Sequence, residues 1–192
     1  MTKDFWAALR VLQTGGLIIY PTDTAYGLGA DATNHKALEK LLKYKGARNS
    51  PVSIAVCNLE MAKKFVKITP LAQTLYQKYL PGALTIISPT QPNVDEILTA
   101  GSKTLGIRIL NFPPALELIR AFGRPITATS ANISRGPTPY SKQEYLATTP
   151  PEKAAMIDYF WDAGPLPKTL PSTIVKVVGE NLEIIRQGGL KI

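Results

Sequence analysis

Residues 17–30 read LIIYPTDTAYGLGA and combine two different local patterns. The first part, from Leu17 to Tyr20, is a short apolar run, which predicts a buried strand. The second part, from Pro21 to Ala30, is rich in hydroxyl side chains and glycine, which predicts a polar turn. The stretch therefore predicts a buried strand that leads into an unusual loop, and the rest of the chain is interpreted around it.

The glycines of this loop match a dinucleotide-binding pattern. Gly27, Gly29 and Ala32 have the G-x-G-x-x-A spacing, and they lie between a predicted strand and a predicted helix. However, six residues separate Tyr20 from Gly27, whereas the first glycine of that pattern belongs in a tight turn at the strand end. The next predicted strand ends at Cys57 without an acidic residue. We therefore disfavour a dinucleotide site, and the chain has no G-x-x-x-x-G-K-S/T phosphate loop either.

The segments on both sides of this loop alternate between helical and strand-like patterns. Periodicity and caps predict helices at 4–14, 35–45, 70–80, 114–122 and 142–147. Apolar runs predict strands at 17–20, 52–57, 84–88, 104–110, 126–129, 156–161, 173–178 and 182–186, the last two as a hairpin. We expect a single domain over residues 1–192, with an α/β fold of the α+β type in which helices pack on a mixed sheet.

Composition excludes several classes of protein. The chain has 192 residues, 45% of them hydrophobic and 19% charged, which is too apolar for a disordered chain. Its N-terminus lacks the pattern of a secretory signal and no run is long enough to span a bilayer, so we expect a cytoplasmic protein without a membrane partner. Cys57 and His35 are single residues of their kinds, which disfavours disulfides, zinc sites and nucleophilic triads. We expect His35 to be solvated.

The positive charge is concentrated in one part of the chain. The formal net charge is +8, and residues 36–67 hold eight basic residues against two acidic ones. These side chains are interpreted either as solvated helix faces or as a surface for a polyanion, which would be nucleic acid or a nucleoside triphosphate. Any metal ion should be a hard cation such as Mg²⁺ that arrives with a phosphate substrate.

Further loops carry polar residues at the ends of predicted strands. The segment from Lys45 to Pro51 joins the basic helix to a strand and holds two cations beside a glycine. The segment from Thr127 to Ser134 reads TATSANIS, and small hydroxyl residues at a strand end let a ligand approach the backbone. Near the end of the chain, Pro171-Ser172 begins one strand and Arg186 ends the next. Each loop alone is also compatible with an ordinary surface turn.

These motifs together are far more specific than any one of them. In chain order they are PTDTAYGLG, a Lys/Arg loop before Pro51-Val-Ser53, T-x-G and T-x-x-x-R within 99–108, TSAN at 129–132, STIV at 172–175 and I-x-R-x-G ending at Gly188. In this order the motifs resemble the YrdC-like family of threonylcarbamoyl-AMP synthases, and the resemblance runs from Gly15 to Gly188. It implies a twisted, mixed sheet around a deep, positively charged cavity.

The resemblance also implies a reaction and its partners. L-threonine, bicarbonate and ATP would give threonylcarbamoyl-AMP and pyrophosphate, which makes the protein a nucleotidyltransferase. The product serves the threonylcarbamoyl-adenosine modification of tRNA, so a downstream threonylcarbamoyl transferase is an expected partner, and tRNA is a candidate for direct contact. No tightly bound cofactor is implied, and Mg²⁺ is expected with ATP.

The family's pattern assigns residues to two parts of a site. The threonine site would consist of Thr24, Arg108, the Ala128 backbone and Ser172. The ATP site would consist of Lys45, Arg48, Ser50, Thr104, Ser130, Asn132, Thr138 and Arg186. The residues implied to act in catalysis are Lys45, Arg48 and Arg108. The spacing of the Lys45/Arg48 loop departs from the family's usual Lys-x-Arg, and an alternative alignment uses Lys43 and Lys45.

Two other functions remain open at this stage. A non-enzymatic RNA-binding module would explain the basic segment, since phosphate contacts dominate non-specific affinity for nucleic acids. A carbamoyl transferase that acts on another acceptor would share the carbamoyl-adenylate chemistry. Longer relatives carry an additional C-terminal domain, which we do not expect in these 192 residues.

Overall fold

The computed structural model describes residues 1–46 and 50–192. Its helices are α1 Lys3–Gln13, α2 His35–Lys45, α3 Leu59–Lys63, α4 Pro70–Tyr79, α5 Glu96–Thr99, α6 Pro113–Phe122, α7 Lys142–Thr148 and α8 Pro151–Ala154. Its strands are β1 Ile18–Pro21, β2 Tyr26–Gly29, β3 Ile54–Ala55, β4 Leu84–Pro89, β5 Thr104–Arg108, β6 Ile126–Thr127, β7 Thr129–Ser130, β8 Tyr159–Phe160, β9 Thr173–Val178 and β10 Asn181–Arg186. None of the helices in these ranges has the length and apolarity needed to span a membrane.

The strands form two mixed sheets. One has the order β7-β2-β1-β8 and the other β10-β9-β4-β5-β3-β6. Both sheets contain parallel and antiparallel neighbours: β1 pairs antiparallel with β2 and parallel with β8, while β4 pairs antiparallel with β5 and parallel with β9. The predicted mixed α/β fold is confirmed, and its strands are divided between two sheets. The assignment of residues 1–192 to one domain stays a prediction.

The chain passes from one sheet to the other at Ala128. The predicted strand 126–129 is in fact two short strands, because β6 pairs with β3 and β7 pairs with β2. At the junction the Ala128 N–H still donates to the Ser53 carbonyl at 2.7 Å, and the Thr127 N–H donates to the Ala30 carbonyl at 2.9 Å. These bonds hold Ala128 between the two sheets. Because its N–H already donates to Ser53, its carbonyl is the backbone group that it can offer to a ligand.

Thr127→Val is expected to lower the free energy of unfolding by about 2 kcal/mol. The buried Thr127 hydroxyl accepts from the Ala30 N–H at 3.0 Å and donates to the Leu28 carbonyl at 2.8 Å. Valine keeps the shape but removes both hydrogen bonds. Urea unfolding would compare it with Thr74→Val, whose exposed hydroxyl donates to the Pro70 carbonyl and whose loss should cost less than about 0.5 kcal/mol. Equal effects of the two changes would contradict this role of Thr127.

Strand β1 is buried on both faces, which explains its continuous apolar sequence. Ile18 and Tyr20 pack in an apolar cluster with α1 and α6. Leu17 and Ile19 point to the other side, into a cluster that includes the apolar face of α2. The loop that follows β1 therefore begins at a strand whose position is fixed by packing on both faces.

The glycines that matched the dinucleotide pattern have a packing role. Residues 26–29, predicted to be part of a turn, form β2 and pair with β1. A Cβ atom at Gly27 would lie 3.1 Å from the ring of Tyr20, and one at Gly29 would lie 2.8 Å from an Ile18 side-chain carbon. These distances are shorter than ordinary contacts, so the two glycines make room for the Tyr20 ring to lie across β2.

Helix starts agree with their predicted caps. Asn34, Thr69 and Ser141 each accept a backbone N–H of the first turn, at the starts of α2, α4 and α7. Other boundaries differ: the ladder contains only residues 54–55 and 159–160 of the predicted strands 52–57 and 156–161. The short helices α3, α5 and α8 were not predicted, because four or five residues are too few to show helical periodicity.

Candidate functional site

A cavity of about 360 Å³ is lined by strands of both sheets and by the loops beside them. Its wall consists mainly of hydroxyl, aromatic and guanidinium side chains. The polar lining side chains are those of Tyr20, Thr22, Thr24, Tyr26, Ser53, Thr85, Arg108, Thr129, Ser130, Thr138, Tyr140, Thr169, Ser172 and Arg186. In the described part of the wall, the two arginines are the charged residues and no acidic residue is present. The cavity is therefore positively charged, as the family resemblance implies.

The loop after β1 is held in shape by Thr22. The Thr22 Oγ1 accepts from the N–H groups of Thr24 and Ala25 at 3.1 and 3.2 Å, and it donates to the Ala25 carbonyl at 2.7 Å. This side chain thus adds to the backbone hydrogen bond from the Thr22 N–H to the Ala25 carbonyl, which measures 3.2 Å. The Thr24 carbonyl also accepts from the Thr169 hydroxyl at 3.2 Å. The Thr24 side chain is consequently fixed at the cavity wall before any ligand binds.

Arg108 lies at the end of β5 and is the best-buried cation in the cavity wall, with 9% of its side chain exposed. Its Nη2 donates to Asp23 Oδ1 at 2.9 Å, and its Nη1 donates to Thr24 Oγ1 at 3.2 Å. Its Nε is buried and has no hydrogen-bond partner within the described ranges. A guanidinium held in this way can meet the planar group of a carboxylate or phosphate.

Arg186, at the end of β10, lines the same cavity and contacts Ser172. Its Nη2 donates to the Ser172 carbonyl at 2.8 Å and to the Ser172 hydroxyl at 3.3 Å. The Ser172 hydroxyl also shares a hydrogen bond of 3.0 Å with the Thr85 hydroxyl. Partial burial and the positive charge of Arg108 lower the pKa of the Arg186 guanidinium. Because two cations face the same space and repel each other, the space favours an anionic ligand.

Tyr20 contributes a neutral hydroxyl to this wall. It is fully buried, and it donates to the Thr127 carbonyl at 3.0 Å. Burial raises the pKa of the Tyr20 hydroxyl, while the nearby Arg108 charge opposes that effect. The hydroxyl therefore keeps its proton near neutral pH and connects β1 to the junction between the two sheets.

Lys45 lies at the end of α2 and points inward, with 3% of the residue exposed. Its Nζ donates to the carbonyls of Ser130 at 2.9 Å and Asn132 at 2.6 Å. Within the same turn, the Ser130 hydroxyl contacts the Asn132 side-chain oxygen. In this structure Lys45 thus supports the turn that presents Ser130 to the cavity.

The structure brings together most of the residues that the family's pattern selected. Those that line the cavity are Thr24, Arg108, Ala128, Ser130, Thr138, Ser172 and Arg186. Lys45, Ser50 and Asn132 are described but are not part of this lining, and Arg48 lies outside the described residues. Thr104 begins β5 while Arg108 ends it, so the two residues are about 13 Å apart along the strand. The ligand contacts assigned to all these residues stay predictions.

Several lining residues were not assigned in advance. Thr85 lies in β4 with 3% exposure, and a threonine within the apolar sequence LTII was the available signal. Tyr140 and Thr169 belong to segments without a regular pattern, and the Tyr140 hydroxyl donates to the Thr169 carbonyl at 3.4 Å. Asp23 belongs to the motif PTDTAYGLG, but the sequence assigns it no role.

His35 is expected from the sequence to be solvated. It is at the surface, where its Nδ1 lies 2.7 Å from Asp95 Oδ2.

No group of three or more histidine, cysteine, aspartate or glutamate side chains within residues 1–46 and 50–192 is arranged to hold a metal ion. The carboxylate of Asp23, which contacts the lining residue Arg108, is already paired with that arginine. The expectation that Mg²⁺ arrives with ATP stays a prediction.

Comparisons with known proteins agree with this geometry. The Sua5/YciO/YrdC family model, described as "Telomere recombination", matches residues 10–188. The threonylcarbamoyl-AMP synthase of Bacillus subtilis is 34% identical over 186 residues, which are 95% of this chain and 53% of that protein. The threonylcarbamoyl-AMP synthase of Pseudoalteromonas translucida is 33% identical over 172 residues, which are 88% of this chain and 90% of that protein.

A solved structure supports the same relationship. The structure of Pyrococcus abyssi Sua5 complexed with L-threonine superposes with a TM-score of 0.89 at 30% identity and covers 97% of this chain and 54% of that one. This chain spans about half the length of the Bacillus subtilis relative and of the Pyrococcus abyssi protein. Because the family model covers nearly the whole chain and the relatives share a third of its residues, the chain belongs to the Sua5/YciO/YrdC family.

Proposed function

We propose that this protein is an L-threonylcarbamoyladenylate synthase, an enzyme of the nucleotidyltransferase class. It would convert L-threonine, bicarbonate and ATP into threonylcarbamoyl-AMP and pyrophosphate. The proposal is supported by two relatives named threonylcarbamoyl-AMP synthase and by a similar structure whose name includes L-threonine. A transferase downstream would move the threonylcarbamoyl group to tRNA, and the reaction would take place in the cytoplasm.

The main support for the proposal is the burial and the hydrogen bonding of Arg108. This guanidinium is almost fully buried, lies in the wall of the cavity and is fixed by one contact at each Nη atom. Each Nη atom has a second N–H, and a guanidinium can offer one N–H from each Nη atom to a carboxylate in two parallel hydrogen bonds. An amino-acid substrate supplies such a carboxylate, while a surface for RNA would place its cations where long phosphate backbones can reach them.

The neighbouring groups suit the rest of the two substrates. The hydroxyls of Thr24 and Ser172 and the backbone of Ala128 line the same cavity as Arg108, and we assign them to the polar groups of threonine. Ser130, Thr138 and Arg186 also line this cavity and are assigned to ATP. Arg186 supplies positive charge there, where the α-phosphate would meet the carbamate.

The chemistry needs no covalent enzyme intermediate. The threonine amine first combines with bicarbonate to form a carbamate, with loss of water. A carbamate oxygen then attacks the α-phosphorus in line, so that a new O–P bond forms while the bond to pyrophosphate breaks. Positioning of the threonine carboxylate by Arg108 and charge neutralisation by Arg186 would supply the catalysis, because the Arg186 cation offsets the charge that develops on the phosphoryl oxygens.

The remaining charge of the triphosphate requires further cations. We assign Lys45 and Arg48 to this role, with Lys43 as the alternative, although Lys45 donates to two backbone carbonyls in the structure. An ATP oxygen could replace one of those carbonyls if the turn shifts on binding. Mg²⁺, bound to ATP, would neutralise the β- and γ-phosphates and keep most of its water ligands.

The test is a product assay with the purified chain. ATP and labelled bicarbonate are incubated with L-threonine, L-valine or L-serine, and the adenylate and pyrophosphate are quantified. We expect both products in equal amounts with L-threonine, and at least about tenfold less with L-valine, which has the same shape but no hydroxyl group. Omission of bicarbonate should abolish both products.

The same assay distinguishes the alternatives. Retention of RNA without any adenylate would support an RNA-binding module and contradict the proposal. Transfer of a carbamoyl group to another acceptor, without threonylcarbamoyl-AMP, would support a different carbamoyl transferase. For substitutions of the cavity arginines, Arg120→Ala is a suitable control variant, because this arginine is on the surface of α6, where it pairs with Glu117.

A further inference from the structure

The carboxylate of Asp23 lies beside the substrate cavity without lining it. It follows Thr22, whose hydroxyl fixes the loop, and precedes Thr24, whose hydroxyl faces the cavity. The Asp23 side chain is 11% exposed, and its Oδ1 is 2.9 Å from Arg108 Nη2. A nearly buried carboxylate is costly unless it is paired, so its position beside the cavity depends on Arg108.

Asp23 is also the partner that fixes the orientation of Arg108. The guanidinium leaves its Nε buried and without a hydrogen-bond partner in the part of the chain that the structure describes. Such an orphaned donor is unfavourable, and a turn of the side chain toward water would relieve it. The guanidinium keeps its present orientation because Asp23 accepts a hydrogen bond from Nη2 and Thr24 accepts one from Nη1.

The charges in the cavity give a second reason why the orientation of Arg108 depends on Asp23. Arg108 and Arg186 line the same cavity, and partial burial, followed by repulsion from Arg108, lowers the pKa of Arg186. Within residues 1–46 and 50–192, Asp23 is the one carboxylate in salt-bridge distance of either arginine. Without Asp23, repulsion between the arginines and the orphaned Nε would both favour rotation of Arg108 away from its present position.

We propose that Asp23 is a positioning residue, which holds Arg108 so that the free N–H of each Nη atom meets the carboxylate of the amino-acid substrate. It thereby makes the cavity selective for an amino acid with a free carboxylate group. The proposal rests on the proposed function, in which that amino acid is L-threonine. Asp23 itself does not touch the substrate, because it does not line the cavity.

Geometry and charge give opposite expectations, which makes the role testable. The negative charge of Asp23 repels a substrate carboxylate, so its removal alone would strengthen binding. Loss of the oxygen that holds Arg108 would instead weaken binding. Asp23→Asn removes the charge but keeps an oxygen acceptor, whereas Asp23→Ala removes both.

The experiment measures binding of L-threonine and of L-threoninol, which lacks the carboxylate, by calorimetry in the presence of a non-hydrolysable ATP analogue. For Asp23→Ala we expect affinity for L-threonine to fall roughly 10- to 100-fold, as for loss of a charge-assisted hydrogen bond. Affinity for L-threoninol and for the ATP analogue should change less than about twofold. Asp23→Asn should retain most of the affinity for L-threonine. Glu117→Gln, which removes a carboxylate paired with a surface arginine, is the control.

A second measurement does not require any substrate. The ¹H–¹⁵N signal of the Arg108 Nε–H, assigned by its loss in Arg108→Lys, should shift and exchange faster with water in ligand-free Asp23→Ala. If this signal changes but the unaltered protein binds no L-threonine, the proposed function fails while the positioning of Arg108 by Asp23 is supported. If the signal is unchanged, or if Asp23→Ala binds L-threonine as tightly as the unaltered protein, the positioning role is wrong. Equal losses of all three ligands would also overturn it, because they would indicate general damage to the fold.

Discussion

Arg108→Ala is expected to reduce kcat/KM for L-threonine about 100- to 1000-fold in the assay for threonylcarbamoyl-AMP. The substitution removes the proposed bidentate partner of the substrate carboxylate, a nearly buried cation, and truncation of one member of such a charge pair costs roughly 2–5 kcal/mol. The KM for ATP should change far less, because Arg108 is assigned to the amino acid. Steady-state rates at varied concentrations of each substrate separate the two effects.

The same substitution should destabilise the protein. It leaves the carboxylate of Asp23, which is 11% exposed, without its salt-bridge partner. Loss of one member of a buried pair costs about 3 kcal/mol, which should be visible in urea unfolding. In the double variant Arg108→Ala/Asp23→Ala, stability should recover while activity stays low, because the second change removes the unpaired charge but restores no ligand contact. Recovery of activity together with stability would refute a direct role of Arg108 in binding.

Arg108→Lys is the second control for this prediction. Lysine keeps the positive charge but supplies a point charge instead of a planar fork, so it cannot contact Asp23, Thr24 and a substrate carboxylate in the same way. We expect at least about tenfold lower kcat/KM for L-threonine. Full activity of this variant would mean that charge alone is sufficient and that the geometry of the fork is unimportant.

The parts of the fold that sequence predicted well are governed by local interactions. The starts of α2, α4 and α7 agree with their caps, because Asn34, Thr69 and Ser141 each bond to the N–H group three residues later. The hairpin of β9 and β10 is local in the same sense. Each of these signals is complete within a few residues of sequence.

The parts that sequence missed depend on distant contacts. Strand β2 resembled a turn because Gly27 and Gly29 lower strand propensity, and the reason for both glycines is the ring of Tyr20 on the neighbouring strand. Likewise, the passage between sheets at Ala128 depends on pairing with β3 on one side and β2 on the other. No pattern within 126–129 distinguishes this arrangement from one continuous strand.

The site shows the same division. The family's motifs selected the segments that line the cavity, but the pairs that organise it join residues far apart in sequence: Asp23 with Arg108, 85 residues later, and Thr85 with Ser172, 87 residues later. Lys45 illustrates the limit, since the sequence shows a lysine at a helix end, while the fold gives its Nζ the carbonyls of Ser130 and Asn132 as partners. Its contact with a phosphate stays a prediction. Residue type predicted the charge of the site, while the fold determines which partner each charge has.

Gly188→Ala is expected to have the second large effect, because it would disturb the cavity through the backbone. A Cβ atom at position 188 would lie 2.1 Å from the Pro171 carbonyl oxygen and 2.6 Å from the Ser172 carbonyl carbon. Both contacts are with backbone atoms, which cannot rotate away, so the segment before β9 would have to move. We expect a loss of about 3 kcal/mol in unfolding free energy, or a decrease in Tm of roughly 6–12 °C for a chain of this size.

The neighbouring glycine provides a matched control. A Cβ atom at Gly189 would lie 3.5 Å from the Leu170 Cβ, which is an ordinary contact, and neither glycine has a positive φ. Gly189→Ala should therefore change the unfolding free energy by less than about 0.5 kcal/mol. The two variants add the same methyl group one residue apart, so a difference between them reports the collision at position 188 rather than the general effect of alanine.

Enzymatic activity, like stability, should be lower in Gly188→Ala than in Gly189→Ala. Movement of the segment that carries Ser172 would lengthen its 3.0 Å contact with Thr85 and its 2.8 Å contact with Arg186. Because a misplacement of about 1 Å can cost 100-fold in rate, Gly188→Ala should lower kcat/KM at least tenfold at a temperature where the variant remains folded. Gly189→Ala should retain nearly full activity. If Gly188→Ala is as stable and as active as Gly189→Ala, the close approach at Gly188 does not hold Ser172 in the cavity wall.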